Sequence, residues 1–256
     1  MQCVRLTARV VVLGGCLAWL VASPVRAQST DWADRAFLNV NLGLQLTSSP
    51  FEERLTPIIN NERASIDGPH LAEGGLVTLD VGGGVRLWKG LGVGATYTRF
   101  QGTEEVTIAA QVPNPVYFNQ PRSAFKVSPL ARTESVLHLQ AVYGVPITPR
   151  MDVVFSGGPS LLGLQQDVVT GIDVTEGDPP FSTVVIGNVA TTTRDERGIG
   201  FNAGADVTYF LTRLAGVGVT VRYTWSTVGT ELGDGRPIDL SMGGLQIGVG
   251  ARVRVR

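Results

Sequence analysis

Twelve residues near the end of the chain, LQIGVGARVRVR (245–256), alternate without a break. Leu245, Ile247, Val249, Ala251, Val253 and Val255 form one set; Gln246, Gly248, Gly250, Arg252, Arg254 and Arg256 form the other. A period of two is a β-strand with one apolar and one polar face. Seven further segments carry the same signature: 36–47, 76–88, 91–101, 132–145, 151–165, 198–211 and 215–227. In the seventh, Val217, Val219, Val221, Tyr223 and Trp225 stand against Gly218, Thr220, Arg222, Thr224 and Ser226. With 32 glycines and no long segment of helical period, a single all-β domain is the economical reading.

The connections alternate in length. Residues 88–90, 146–150 and 212–214 are short turns, whereas 48–75, 102–131 and 166–197 are long and 228–237 is moderate. Eight strands with short turns at one end and long loops at the other describe a bacterial outer-membrane barrel, short turns toward the periplasm. An even strand count brings both chain ends to the periplasmic side. Most prolines fall in the expected loops or turns, because proline cannot donate to a strand ladder. Pro159 is an exception inside the fifth segment and predicts a β-bulge.

The chain starts with a leader-like stretch. Arg5 and Arg9 precede an apolar run of about 13 residues, 10–22, and Val25-Arg26-Ala27 ends in a cleavage pattern. The reading is a signal peptide over 1–27, a short periplasmic segment over 28–35, and a barrel over 36–256. Cys3 and Cys16 both lie in the leader, and lipidation at Cys16 is the alternative there. Removing Arg5, Arg9 and Arg26 turns the formal net charge of −1 into −4. That composition argues against a nucleic-acid partner, which needs a basic footprint.

An eight-stranded barrel has an interior just wide enough for side chains to fill. Its inward residues must be small or must pair, because a lone buried charge is costly. The polar faces supply glycine and threonine, with Asp80, Glu134, Asp152 and Asp206 against Arg86, Arg222, Arg252 and Arg254, and His138 among them. Depth counted from the short-turn end pairs Arg86 with Asp152, Asp206 with Arg252, and Arg222 with Asp80 and His138. Aromatics group at two levels, with Tyr143, Tyr209 and Trp88 near the turns and Tyr97, Phe100, Tyr223 and Trp225 toward the loops. Trp88 falls on the inward parity and fits the girdle only if the turn starts earlier. A soluble lipocalin-type barrel shares the alternation, but its solvent face would be rich in lysine and glutamate.

GFNAGADVTYFLTRLAGVGVTVRYTW (200–225), DVVFSGGPSL (152–161) and LQIGVGARVRV (245–255) resemble strands of the OmpA/OmpX-like small outer-membrane β-barrel family. The resemblance covers nearly all of the chain after the leader. It implies a monomeric barrel in the bacterial outer membrane, in contact with lipid and lipopolysaccharide and inserted by the barrel-assembly machinery. The chain departs from the family at Arg256, where members usually end in an aromatic residue. No peptidoglycan-binding domain follows the barrel, so a cell-wall tether is not implied.

Function then has three readings. About 100 residues in the loops exceed what closure needs and favour a structural or surface-interaction protein with an extracellular partner. A narrow pore requires the lumen charges to rearrange. A lipid-modifying enzyme needs a base beside a nucleophile. Only His70 and His138 exist, His70 in a Gly-Pro-His loop and His138 beside no serine visible in the sequence. Asp167, Asp173, Glu176 and Asp178 lack the spacing of a calcium loop. Gly82-Gly83-Gly84 lacks the lysine of a phosphate loop. No cofactor is expected.

Overall fold

The computed structural model describes residues 34–46, 51–70, 76–231 and 237–255. The leader over 1–27, most of the segment 28–35, and Arg256 lie outside the described residues.

Eight long strands form the wall: β1 (Ala36–Gln45), β6 (Leu76–Trp88), β7 (Leu91–Val112), β8 (Arg122–Thr148), β9 (Met151–Glu176), β10 (Val184–Phe210), β11 (Ala215–Glu231) and β12 (Pro237–Val255). Each pairs antiparallel with its neighbour, and β1 pairs with both β6 and β12, so the sheet closes on itself. The seam runs from Ala36↔Val255 to Gln45↔Gln246 without a register shift. At Gly250 the backbones approach so closely that a Cβ would sit 1.9 Å from the Val40 carbonyl oxygen. The fold class is therefore an eight-stranded antiparallel up-and-down transmembrane β-barrel. Among the described residues no helix is long and apolar enough to cross a membrane.

Face chemistry locates the membrane. Leu91, Val93 and Tyr97 on β7, Leu137, Leu139 and Tyr143 on β8, and Val217 to Trp225 on β11 are large, apolar and exposed. In water this continuous belt would be prohibitive; in hydrocarbon it is the required surface. Its height, on the order of 20–25 Å, matches a tilted outer-membrane barrel. Trp88 joins this belt at 65% exposed. The register changes between Arg86↔Gly92 and Trp88↔Leu91, and this bulge turns the indole outward.

The long loops are the main correction. The β7–β8 ladder continues for ten pairs beyond Arg132, to Val112↔Arg122, and β9–β10 continues to Glu176↔Val184. Segments read as loops over 102–131 and 166–197 are thus mostly two β-hairpins standing above the belt. Two short hairpins from 48–75 join them: β2 (Phe51–Leu55) with β5 (Ser65–His70), and β3 (Ile58–Ile59) with β4 (Glu62–Arg63). β5 extends the sheet by pairing with β7 at Ala109–Gln111.

In this crown the two faces of β7 exchange chemistry while its alternation keeps its phase. Arg99, Gln101, Thr103, Glu105 and Thr107 point outward, and Val106, Ile108, Ala110 and Val112 point inward and are buried. They pack with Leu55, Ile66, Leu130, Val169, Val184 and Ile186 into one apolar core. Pro129, expected in a loop, lies in β8 where the strand is paired with β7 but no longer with β9, so its missing N–H breaks no bond. Pro159 produces no bulge: the β8–β9 register is the same on either side of it.

Ile108→Ala should cost about 2–4 kcal/mol through loss of buried volume. The expected outcome is faster tryptic cleavage in the crown with an unchanged mobility shift between boiled and unboiled gel samples. Equal cleavage rates would show that the crown is not held by its core.

Candidate functional site

The lumen is the one place where the described charges are buried together. Asp80 on β6 forms an ion pair with Arg222 on β11, both about 5% exposed. Asn41 Nδ2 and Thr98 Oγ1 each donate to Asp80 at 2.9 Å, and Arg222 Nη1 also donates to Thr98 Oγ1 at 3.2 Å. Arg252 on β12 pairs with Asp206 on β10 in a bidentate contact whose Nε bond is 3.0 Å. It also donates to Asn41 Oδ1, which links the two pairs across the closing seam. Guanidinium and amide donors replace the water that these carboxylates have lost.

Below these pairs, Arg254 lies 3.4 Å from Asp152 and 3.5 Å from Asp34, and its guanidinium sits 3.6 Å over the Phe210 ring. Above them, Arg132 donates to Glu134 at 2.6 and 2.8 Å and to Gln166 at 3.2 Å. A small apolar layer of Val136, Leu162 and Leu164 separates this level from the next. That layer explains why Leu162 and Leu164 stand on the polar face of their strand.

Two of the expected pairings are present, Asp80 with Arg222 and Asp206 with Arg252. Asp152 also lies against Arg254, a contact the depth count did not include. Strand stagger in a tilted barrel shifts levels between neighbouring strands. Parity puts Asn41, Thr98, Gln140 and Asn202 on the inward face without naming them as partners of these charges, and Arg132 shares that parity.

His138 is also corrected. Its Nδ1 lies 2.8 Å from Ser160 Oγ, because β8 and β9 place the two directly opposite each other. Asn202 Nδ2 donates to the same Oγ at 2.9 Å, and Gln140 Nε2 donates to Asn202 Oδ1 at 2.7 Å. A base therefore does sit beside a hydroxyl. Both residues are fully buried, and the hydroxyl's lone pair is engaged by an amide. The free volume beneath Arg222 is a cavity of about 50 Å³ bordered by Asn39, Thr96, Gln140, Thr208 and Arg252. It has room for a few waters and none for a lipid or peptide.

The crown is closed by a second arginine. Arg122 makes a two-point pair with Glu176 and donates to the carbonyls of Pro113 (2.7 Å) and Phe181 (2.9 Å). Asn60 Nδ2 donates to Glu176 and to Pro113 O, both at 2.9 Å. Three hairpin tips are thus tied at one point. Glu176 has its carboxyl held below the ordinary value of 4.5, chiefly by the Arg122 hydrogen bonds. Asp167 instead accepts from Thr193 Oγ1 at 2.7 Å, and no group of three acidic, His or Cys residues that could hold a metal occurs among the described residues.

A closed barrel with a lipid-compatible belt and a packed polar lumen defines an outer-membrane β-barrel protein of the bacterial cell. No family model and no curated protein matches the chain. Among solved structures it is similar to Neisserial surface protein A, at 12% identity over 86% of this chain and 96% of that one, TM-score 0.38. It is similar to OprG from Pseudomonas aeruginosa, at 7% identity over 89% and 99%, TM-score 0.45. The outer-membrane protease OmpT from Escherichia coli matches at 9% identity over 88% and 98%, TM-score 0.44. The class rests on the closure and the belt of this chain, and these likenesses carry no part of it.

Arg222→Leu strands Asp80 without its counter-charge and should cost about 3–5 kcal/mol. Arg63→Leu, on the exposed hairpin β3–β4, should cost next to nothing. Urea midpoints of the refolded barrels measure the difference, and equal midpoints would remove the ion-pair account. Arg122→Ala should release the tied tips and expose them to protease. Glu176 has a depressed folded-state pKa, so its contribution is present above the unfolded value near 4.5 and fades as pH falls through the lower folded value. Crown protection should therefore hold from pH 7 to 5 and weaken only below the ordinary carboxylate range.

Proposed function

We propose that this protein is a non-enzymatic surface-interaction protein of the OmpA/OmpX-like kind, in which the barrel is an anchor and the crown is the working part. The observation that carries this reading is the tied crown above a plugged lumen. Ile58 and Phe118 are 76% exposed at the crown tip, beside exposed Val116 and Tyr117. Asn114 Oδ1 accepts from the backbone N–H groups of Val116 and Tyr117, at 2.9 and 3.0 Å, so the tip is held in shape. Large apolar groups displayed on a fixed frame suit contact with another macromolecule. Lipid, lipopolysaccharide and the assembly machinery are the partners that the membrane position calls for; the tip partner lies outside the cell. A monomer is the state proposed for the protein.

The alternative is a narrow pore, and the cavity beneath Arg222 favours it over an enzyme. The enzyme reading has the His138–Ser160 contact in its support, and the full burial of both groups stands against it.

The test uses cells displaying the wild type or the triple variant Val116→Ser/Tyr117→Ser/Phe118→Ser at equal surface abundance. The wild type should raise cell–cell or cell–surface adhesion, and the variant should lose that gain. Equal adhesion in both would contradict the proposal. So would discrete conductance steps from wild type in a planar bilayer, or labelling of Ser160 by a fluorophosphonate.

A further inference from the structure

The end of the barrel opposite the crown carries a charge pattern that neither closure nor the lumen requires. Three tight turns join the strands there, and each displays one exposed cation: Lys89 between β6 and β7, Arg150 between β8 and β9, Arg213 between β10 and β11. A fourth exposed cation, Arg35, precedes β1, fixed there by its backbone N–H to Val255 O at 2.7 Å. In the ring order β1-β6-β7-β8-β9-β10-β11-β12 these four positions fall at about every second strand, so they encircle the rim.

The acids at this end do not neutralise them. Asp34 and Asp152 are buried and lie against Arg254 inside the lumen. Among the described residues, the outward charge of this rim is therefore of one sign. The crown end differs: exposed Arg99, Arg194 and Arg197 are interspersed with exposed Glu105, Asp173 and Asp195.

Three of these cations are also set beside large exposed apolar groups. Trp88 flanks Lys89, whose Nζ lies 4.9 Å over the indole ring. Ile147 accompanies Arg150, and Leu211 and Leu214 bracket Arg213, all exposed. Cation and hydrocarbon contact at the same level is the chemistry of a membrane interface. An anionic polymer such as peptidoglycan would match the charge and leave the apolar collar in water. An anionic phospholipid satisfies both at once, with its headgroup on the cation and its acyl chain on the collar.

We propose that Arg35, Lys89, Arg150 and Arg213 form a binding rim for anionic phospholipid, which gathers such lipid around the periplasmic end of the barrel. The test takes the full protein, extracted from membranes and placed in bilayers of phosphatidylcholine. Spin-labelled phosphatidylglycerol and spin-labelled phosphatidylcholine are compared for the fraction immobilised on the barrel. Wild type should favour phosphatidylglycerol by about twofold or more at low salt, and 1 M salt should lower that preference. Lys89→Gln/Arg150→Gln/Arg213→Gln should bring the ratio close to one, whereas Arg99→Gln/Arg197→Gln at the crown end should retain it. Unboiled gel mobility confirms that each variant is folded, and if the triple variant fails to fold, each single substitution should remove part of the preference. A ratio near one in wild type overturns the proposal, as does a preference untouched by the rim substitutions. Sedimentation with purified sacculi that depends on the three cations, while lipid preference does not, assigns the rim to the cell wall and overturns it equally.

Discussion

A backbone N–H or C=O left open in hydrocarbon costs several kcal/mol, and a sheet can cross a membrane only by leaving none. The β1–β12 seam meets that condition with ten consecutive pairs. Everything else follows from closing at eight strands. The circle is too small for a water-filled channel, so inward side chains must fill it. They must also be polar, because the apolar half of each strand is committed to lipid. A polar filling without bulk water is stable only when each charge meets its opposite, which is what the Asp80–Arg222 and Asp206–Arg252 pairs do.

Above the lipid β7 obeys the opposite rule. Outside the belt there is water on the outer face and no reason for polarity within. On β7 the change falls between Tyr97, which is apolar, outward and in the belt, and Arg99, the next outward residue. The inward set becomes apolar by Val106. A plugged barrel and a solid crown are thus two solutions to one problem, set by the solvent on either side of a boundary.

Much of this is legible in the residues. Strand number, closure and the lumen set follow from the alternation, since period and parity survive without knowing the partners. What escapes is whatever depends on level or on solvent. The Arg254–Asp152 contact has no signal within either strand, because stagger is invisible in a single strand. The run Val106-Thr107-Ile108-Ala109-Ala110-Gln111-Val112 alternates as clearly as the belt strands, yet it reads as loop if the apolar face is assumed to be the lipid face. The contact of His138 with Ser160 required the β8–β9 register, which no pattern within either strand contains. Trp88 needed a one-residue bulge to reach the outside, and no alternation can announce an exception to itself.

The exchange of faces along β7 is the central claim, and one scan measures it. Single cysteines at positions 91 through 112 carry a nitroxide, and collision with oxygen and with a water-soluble nickel complex is recorded at each. The account expects oxygen contact at Leu91, Val93, Ala95 and Tyr97, nickel contact at Arg99, Gln101, Thr103 and Glu105, and neither at Thr98, Val106 or Ile108. Nickel contact at Val93 and Tyr97 would place the belt in water and contradict the membrane barrel outright. Nickel contact at Val106 and Ile108 would dissolve the crown's core.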